Sequence, residues 1–150
     1  MNGDYSTSPA LTEMFAASMK EGPNYAFGFR LAHADGDRVE LSWTIDDRHL
    51  QPYGIVHGGV YCAVVETAGS IGAGLWYGDE GHVVGIANHT DFLRPAALGA
   101  NLTANALPLH RGRTQQLWEV RVQDESARLV ARGQLRLQNI SHPGGEPSMR

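Results

Sequence analysis

Several classes of protein are excluded by what this chain lacks. It has one cysteine, Cys62, among 150 residues. No internal disulfide can form, and that usage fits a reducing compartment. No apolar run reaches the roughly 20 residues that a membrane-spanning helix needs. The start, Met1-Asn2-Gly3-Asp4-Tyr5, lacks the basic and apolar regions of a secretory signal. The expectation is a cytoplasmic protein with no membrane partner. A Gly-x-x-x-x-Gly-Lys phosphate loop is absent, so nucleotide hydrolysis is not suggested. His33, His49, His57, His82, His89, His110 and His142 show no paired ligand spacing on one element, so no metal site is expected. Positive charge is not in excess either. The formal net charge of -4 argues against nucleic acid as a partner.

What remains is a chain that is 42% hydrophobic and 19% charged, the composition of one globular domain with a real core. Its charge is uneven. Residues 1–93 carry four Lys/Arg against twelve Asp/Glu, and residues 94–150 carry eight against four. The second half leaves room for an anionic ligand, although arginines on a solvated sheet face would give the same count.

Residues 1–8 are polar and are expected to be disordered. Ser8-Pro9 supplies an N-cap followed by proline at the first helical position, which predicts a short helix over 9–19. Glu21-Gly22-Pro23-Asn24 is read as its end. Tyr25, Phe27, Phe29 and Leu31 then alternate, as do Val39, Leu41, Trp43 and Ile45 beyond Ala34-Asp35-Gly36-Asp37, which predicts a β-hairpin. A loop over 46–56 leads to a long helix over 57–75. Four more strands are predicted over 82–93, 98–107, 115–123 and 128–139. In the second of these, Leu98, Ala100, Leu102, Ala104 and Ala106 share a face. A turn over 124–127 joins the last two. The tail, 141–150, is expected to be disordered. Six strands and one enclosed helix imply an α+β fold, an antiparallel sheet wrapped around the helix.

The helix holds the most informative residues. His57-Gly58-Gly59-Val60 opens it, and Glu66 sits in its middle. A glycine inside a helix costs roughly 1 kcal/mol against alanine, and an ionised carboxylate away from water costs more unless it is paired. Val60, Val64, Thr67, Ala68, Ile71 and Leu75 form the core stripe. The opposite face is small (Gly59, Cys62, Ala63, Ser70, Ala73) except for Glu66, so the acid looks into a narrow, occupied space. A helix start offers free N–H donors and partial positive charge, which stabilise an oxyanion. A carboxylate can attack an activated carbonyl or activate water without a catalytic triad. The plainer reading of Glu66 is a buried acid paired with an arginine or with Tyr61. Cys62 has no catalytic partner signature and reads as a small core residue.

Gln51-Pro52-Tyr53-Gly54-Ile55-Val56-His57-Gly58-Gly59-Val60, with Glu66 and Ser70, resembles the hotdog-fold acyl-CoA thioesterases, in particular the PaaI-like and glutamate-using 4-hydroxybenzoyl-CoA thioesterase branch. Asn88-His89-Thr90-Asp91-Phe92-Leu93-Arg94-Pro95 resembles the strand of that family that ends in Arg-Pro. The resemblance covers residues 25–138 and implies one hotdog domain over 9–140. It implies that Glu66 is the nucleophile or general base and that the Gly58 N–H polarises the thioester carbonyl, with Gly59 beside it. It also implies that the Gln51 amide assists near the carbonyl, that His57 supports the loop, and that Ser70 orients water or the acid. Serine stands at this last position where relatives often have threonine. The partners implied are an acyl-CoA and a second copy of the chain. The dimer would share its active sites and pair again into a homotetramer. No cofactor is expected beyond the coenzyme A of the substrate. Arg94 of the same strand motif, like Gly59, is expected to contact the substrate. Arg111, Arg113 and Thr114 lie in a loop where the family commonly binds the CoA phosphates, and two arginines with a hydroxyl suit an anion.

Two other functions fit less well. A hotdog hydratase or dehydratase would need a catalytic histidine set across from an acid and a proline-rich loop that is missing here. A non-catalytic acyl-CoA-binding module would have no use for Glu66 beside Gly58.

Overall fold

The computed structural model of the chain describes residues 9–142. The segment 1–8, with the expected cap Ser8, lies outside them, as does 143–150 of the expected tail.

Two helices come first, α1 (Pro9–Ser18) and α2 (Gly22–Ala26). The second corrects the sequence reading, which placed 25–27 in a strand. Pro23 stands in the first turn of α2, where a missing N–H leaves nothing unsatisfied. Gly22-Pro23 therefore opens a helix instead of closing one. Gly28, at φ 68, then turns the chain, and Phe29 enters the core at 2% exposure. Two of the alternating aromatics that mimicked a strand stack on one another instead, with the Phe27 and Phe29 ring centroids 5.5 Å apart.

β1 (Arg30–Ala34) and β2 (Val39–Thr44) form the expected hairpin. The Asp35 carboxylate closes its turn by accepting from the Asp37 and Arg38 N–H groups at 2.8 and 2.7 Å. A short 3-10 turn, Asp47–His49, interrupts the following loop. Then come α3 (Gly58–Tyr77), β3 (Gly81–Phe92), β4 (Asn101–Arg111), β5 (Gln115–Asp124) and β6 (Leu129–Ser141). The six strands make one sheet in the order β1-β2-β4-β5-β6-β3, with every pairing antiparallel. α3 carries the chain across the inner face to the far edge, and β4, β5 and β6 fill the gap behind it.

The core lies between that helix and the sheet. Val60, Val64, Ala68, Ile71 and Leu75 of α3 are buried with Leu41, Leu102, Trp118, Leu135 and Leu137 of the strands. Glycine lets the layers close up: a Cβ at Gly72 would lie 2.5 Å from the Trp118 ring. The small face of α3 departs from the expected full enclosure. Ala73 is buried, but Cys62, Ala63, Glu66 and Ser70 are only half-buried and Gly59 is exposed. Leu98 is also not the inward strand residue expected. It is 59% exposed and precedes Gly99, whose φ of 83 turns the chain into β4. At the other end, β6 runs on to Ser141, which pairs with Gly81. The His142 N–H donates to the Glu80 carbonyl at 3.1 Å. These two residues thus belong to the domain and not to the tail. No described helix is long and apolar enough to cross a membrane.

Candidate active site

The start of α3 is held from behind. Buried His49 accepts the Asp46 N–H on Nδ1 at 3.0 Å, so its proton is on Nε2, which donates to the Phe27 carbonyl at 2.8 Å. The His49 carbonyl in turn receives the His57 N–H at 2.8 Å. His57 is the N-cap, and its Nδ1 accepts from the Gly59 N–H at 2.9 Å. That bond satisfies one of the free donors of the first turn. The Gly58 N–H meets no acceptor among the described residues, and it sits at the positive end of a helix whose dipole amounts to about half a charge.

Beside it opens a cleft of about 420 Å³ whose lining includes Gln51, Gly58, Tyr61, Phe92, Arg94 and Pro95. The Gln51 Oε1 accepts the Tyr53 N–H at 2.7 Å, which leaves its NH2 group for another partner. Arg94 donates to the Leu129 carbonyl at 3.0 Å. Phe92 lies directly on Gly58, where a Cβ would approach its ring to 2.6 Å. Tyr61 packs against Phe92 with ring centroids 6.0 Å apart. Its hydroxyl is buried with no hydrogen-bond partner among the described residues, and burial pushes its pKa up to about 12.

Glu66 is elsewhere. Eight residues further along α3, it stands about 12 Å from Gly58 along the axis and does not line the cleft. Its carboxylate lies over β3, filling the space that a side chain at Gly85 would take. The Asn88 Nδ2 donates to its Oε2 at 3.3 Å and to the Cys62 carbonyl at 3.0 Å. Ser70, one turn beyond Glu66, is half-buried on the same face.

The proposed phosphate loop is at the far end of the helix. Arg111 donates to the Gly36 carbonyl and to Asp37 at 2.6 and 2.7 Å, and its guanidinium lies 5.4 Å from the Trp76 ring centroid. It ties the β1–β2 turn to the C-terminal end of α3, so an internal role already occupies it. Arg113 and Thr114 are exposed on a hairpin whose backbone Asn139 fixes through the Gly112 and Arg113 carbonyls at 2.9 and 3.2 Å.

One chain therefore brings Gln51, Gly58 and Arg94 together, with His57 and Gly59 at the rim. It does not bring Glu66, Ser70, Arg111, Arg113 or Thr114 to them. His49 and Asn88 were not singled out from sequence. A histidine spaced three residues after Asp46 was the available sign of the first.

An antiparallel sheet wrapped around one long helix is the hotdog fold. The chain belongs to the thioesterase superfamily, whose model matches residues 53–131. It is 49% identical to AziG of S. sahachiroi, whose crystal structure matches it with a TM-score of 0.78 over 81% of this chain and 98% of that one. It is 32% identical over 119 residues to the 1,4-dihydroxy-2-naphthoyl-CoA hydrolase of Escherichia coli, covering 79% of this chain and 87% of the relative. It is 40% identical over 91 residues to the proofreading thioesterase EntH of Klebsiella pneumoniae, covering 60% of this chain and 65% of that one. The protein is a thioester hydrolase, and the hydratase and binding-module readings fall away.

Proposed function

We propose that the protein hydrolyses an aryl or medium-chain acyl-CoA to coenzyme A and the free acid, at a site shared between two copies of the chain. The observation that carries this is the separation of Gly58 from Glu66 within one subunit. Eight helical residues, about 12 Å, is too far for one carbonyl group to meet both. The carbonyl oxygen of the thioester accepts from the Gly58 N–H of one subunit, with the Gln51 amide nearby. Glu66 of the other subunit acts on the carbonyl carbon in one of two ways. It attacks directly, expelling the CoA thiolate and leaving an anhydride for water to open, or it takes a proton from the water that attacks. Charge that develops on the oxygen is met by a donor already in place.

The second copy has a natural seat. β3 is an edge strand paired only with β6, and Val84, Ile86 and Phe92 on it are 41%, 49% and 56% exposed. An open, apolar edge invites pairing with another strand. Pairing with the same edge of a second copy gives a two-fold dimer, which can pair again into a tetramer. The half-covered small face of α3 lies beside this edge. Arg113 and Thr114 supply the CoA phosphate contacts, and the apolar cleft beside Gly58 takes the acyl group. The aryl preference is supported by the E. coli relative, which is named for a dihydroxynaphthoyl-CoA.

Thiol release from benzoyl-CoA, 1,4-dihydroxy-2-naphthoyl-CoA, octanoyl-CoA and palmitoyl-CoA tests the substrate class. The expected result is kcat/KM highest for an aryl or medium-chain ester. Turnover confined to palmitoyl-CoA would overturn it.

A further inference from the structure

We infer that Asn88, held in place by Thr90, is the positioning residue for the Glu66 carboxylate. The inference rests on the catalytic reading of Glu66 and adds the device that aims it. An asparagine amide has two N–H donors, and both are used on the turn of α3 that carries the acid. One goes to the Cys62 carbonyl at 3.0 Å and the other to the Glu66 Oε2 at 3.3 Å. Cys62 and Glu66 are four residues apart, so a single side chain grips the base of this turn and the tip of its carboxylate. The Thr90 hydroxyl donates to the Asn88 Oδ1 at 2.7 Å. The two acceptors on α3 fix which end of the amide faces the helix, because a flipped amide would set an oxygen against the Cys62 carbonyl and the carboxylate, and the Thr90 bond then anchors the Oδ1 end.

The backbone makes this arrangement possible. Val83 and Gly85 face the helix, opposite Asn139 and Leu137 of β6, and the register of the β3–β6 pairing then shifts between Gly85 and Ala87. A bulge of this kind sends later side chains to the other face. Asn88 and Thr90 consequently stand opposite the inward-facing Leu135 and Gly133. Gly85, just before the bulge, leaves the space in which Glu66 Oε1 lies. The carboxylate is bound on one oxygen and packed on the other, which leaves it one orientation. Glutamate has three free torsions, and an unheld acid would visit many geometries in which no attack is possible.

The test is a double-mutant cycle on the full-length protein with benzoyl-CoA and octanoyl-CoA as probes. Asn88→Ala should lower kcat about 10- to 100-fold, the equivalent of one hydrogen bond to a charged group, with KM and the melting temperature little changed. In the Glu66→Gln background the same substitution should cost less than about threefold, because the group it positions is gone. Thr90→Val should lose part of the same kcat, and Thr90→Ser, which keeps the hydroxyl, should restore it. A loss in Asn88→Ala that repeats in full in the Glu66→Gln background would overturn the inference, as would unchanged kcat in Asn88→Ala. If Asn88→Ala fails to fold, equal kcat in the Thr90 valine and serine variants overturns it. Failure of the underlying reading looks different, since Glu66→Gln would then remain active whatever Asn88 does.

Discussion

At its C-terminal end α3 is tied on every side, whereas at its N-terminal end it is left open. Arg111 bonds the Gly36 carbonyl and lies over Trp76. Buried Gln116 donates to the Ala73 carbonyl and to Asn139, and accepts the Trp118 indole N–H at 3.0 Å. The side chains of Gln116, Asn139 and Trp118 satisfy one another inside the molecule, which is what burial demands. At the start of the helix, His57 and His49 fix the backbone, yet the Gly58 N–H, the Gln51 NH2 and the Tyr61 hydroxyl have no partner among the described residues. One end is closed by its own hydrogen bonds; the other leaves hydrogen-bonding capacity unused. Glu66 stands between them, facing a side of the helix that a single chain leaves half-covered.

The contrast can be broken most severely at Glu66. Glu66→Gln keeps the shape and removes the base, and kcat should fall about 10²–10⁴-fold. KM should move little, and the melting temperature should hold or rise because a half-buried charge has been removed. If more than about a tenth of kcat survives, the acid is not catalytic.

A smaller effect separates two neighbouring arginines. Arg113→Ala should raise KM for an acyl-CoA about tenfold or more, the loss expected for a charge-assisted phosphate contact. It should leave KM for the same acyl group on a pantetheine thiol, and the melting temperature, unchanged. Arg111→Ala should behave in the opposite way, lowering stability by about 1–2 kcal/mol through the lost hydrogen bonds and ring contact. Its KM values should not move. Exchanged outcomes would mean that the tied end of the helix, and not the exposed hairpin, handles the substrate.

Tyr61 gives the smallest effect. Its hydroxyl is buried without a partner, so Tyr61→Phe should leave the melting temperature at pH 7 unchanged or slightly higher. The pH dependence has a definite sign. Burial raises the folded-state value from 10.0 to about 12, so stability is full below pH 10 and is lost as pH rises from there towards 12. Denaturant melts at pH 8 and pH 11 should show a steeper decline for the wild type than for the phenylalanine variant. Parallel declines would mean that a donor in the assembled protein stabilises the phenolate.

Periodicity made most of this architecture legible. The stripe of Val60, Val64, Ala68, Ile71 and Leu75 and the alternation in β2, β4 and β6 each mark a buried face, and with the turn signals they place the helix and all six strands, the first begun too early, in α2. Two kinds of feature were hidden. Phe27 fits a strand's alternation because it stacks on Phe29 and beside His49, a tertiary cause that mimics a local pattern, while Tyr25 of α2 is exposed. Asn88 was hidden by the bulge at Gly85–Ala87. Simple alternation from Val83 would send Asn88 outward, and only the register shift turns it towards Glu66. In the candidate site, His57-Gly58-Gly59 and Glu66 stood out because glycine and a carboxylate are costly in a helix. The helpers His49 and Asn88 carry no such cost and did not.

The central claim is that each active site takes its helix start from one subunit and its acid from another, and subunit complementation tests it most directly. Glu66→Ala and Gly58→Pro each disable one half, the second by removing the N–H at a first helical position whose backbone suits proline and by pushing aside the exposed Phe92 ring that lies on it. Each should be nearly inactive alone and still dimeric by sedimentation. After refolding together in equal amounts, half of the dimers are hybrids with one intact site each, so about a quarter of wild-type activity should return. A mixture that forms hybrid dimers and regains nothing would contradict the shared site.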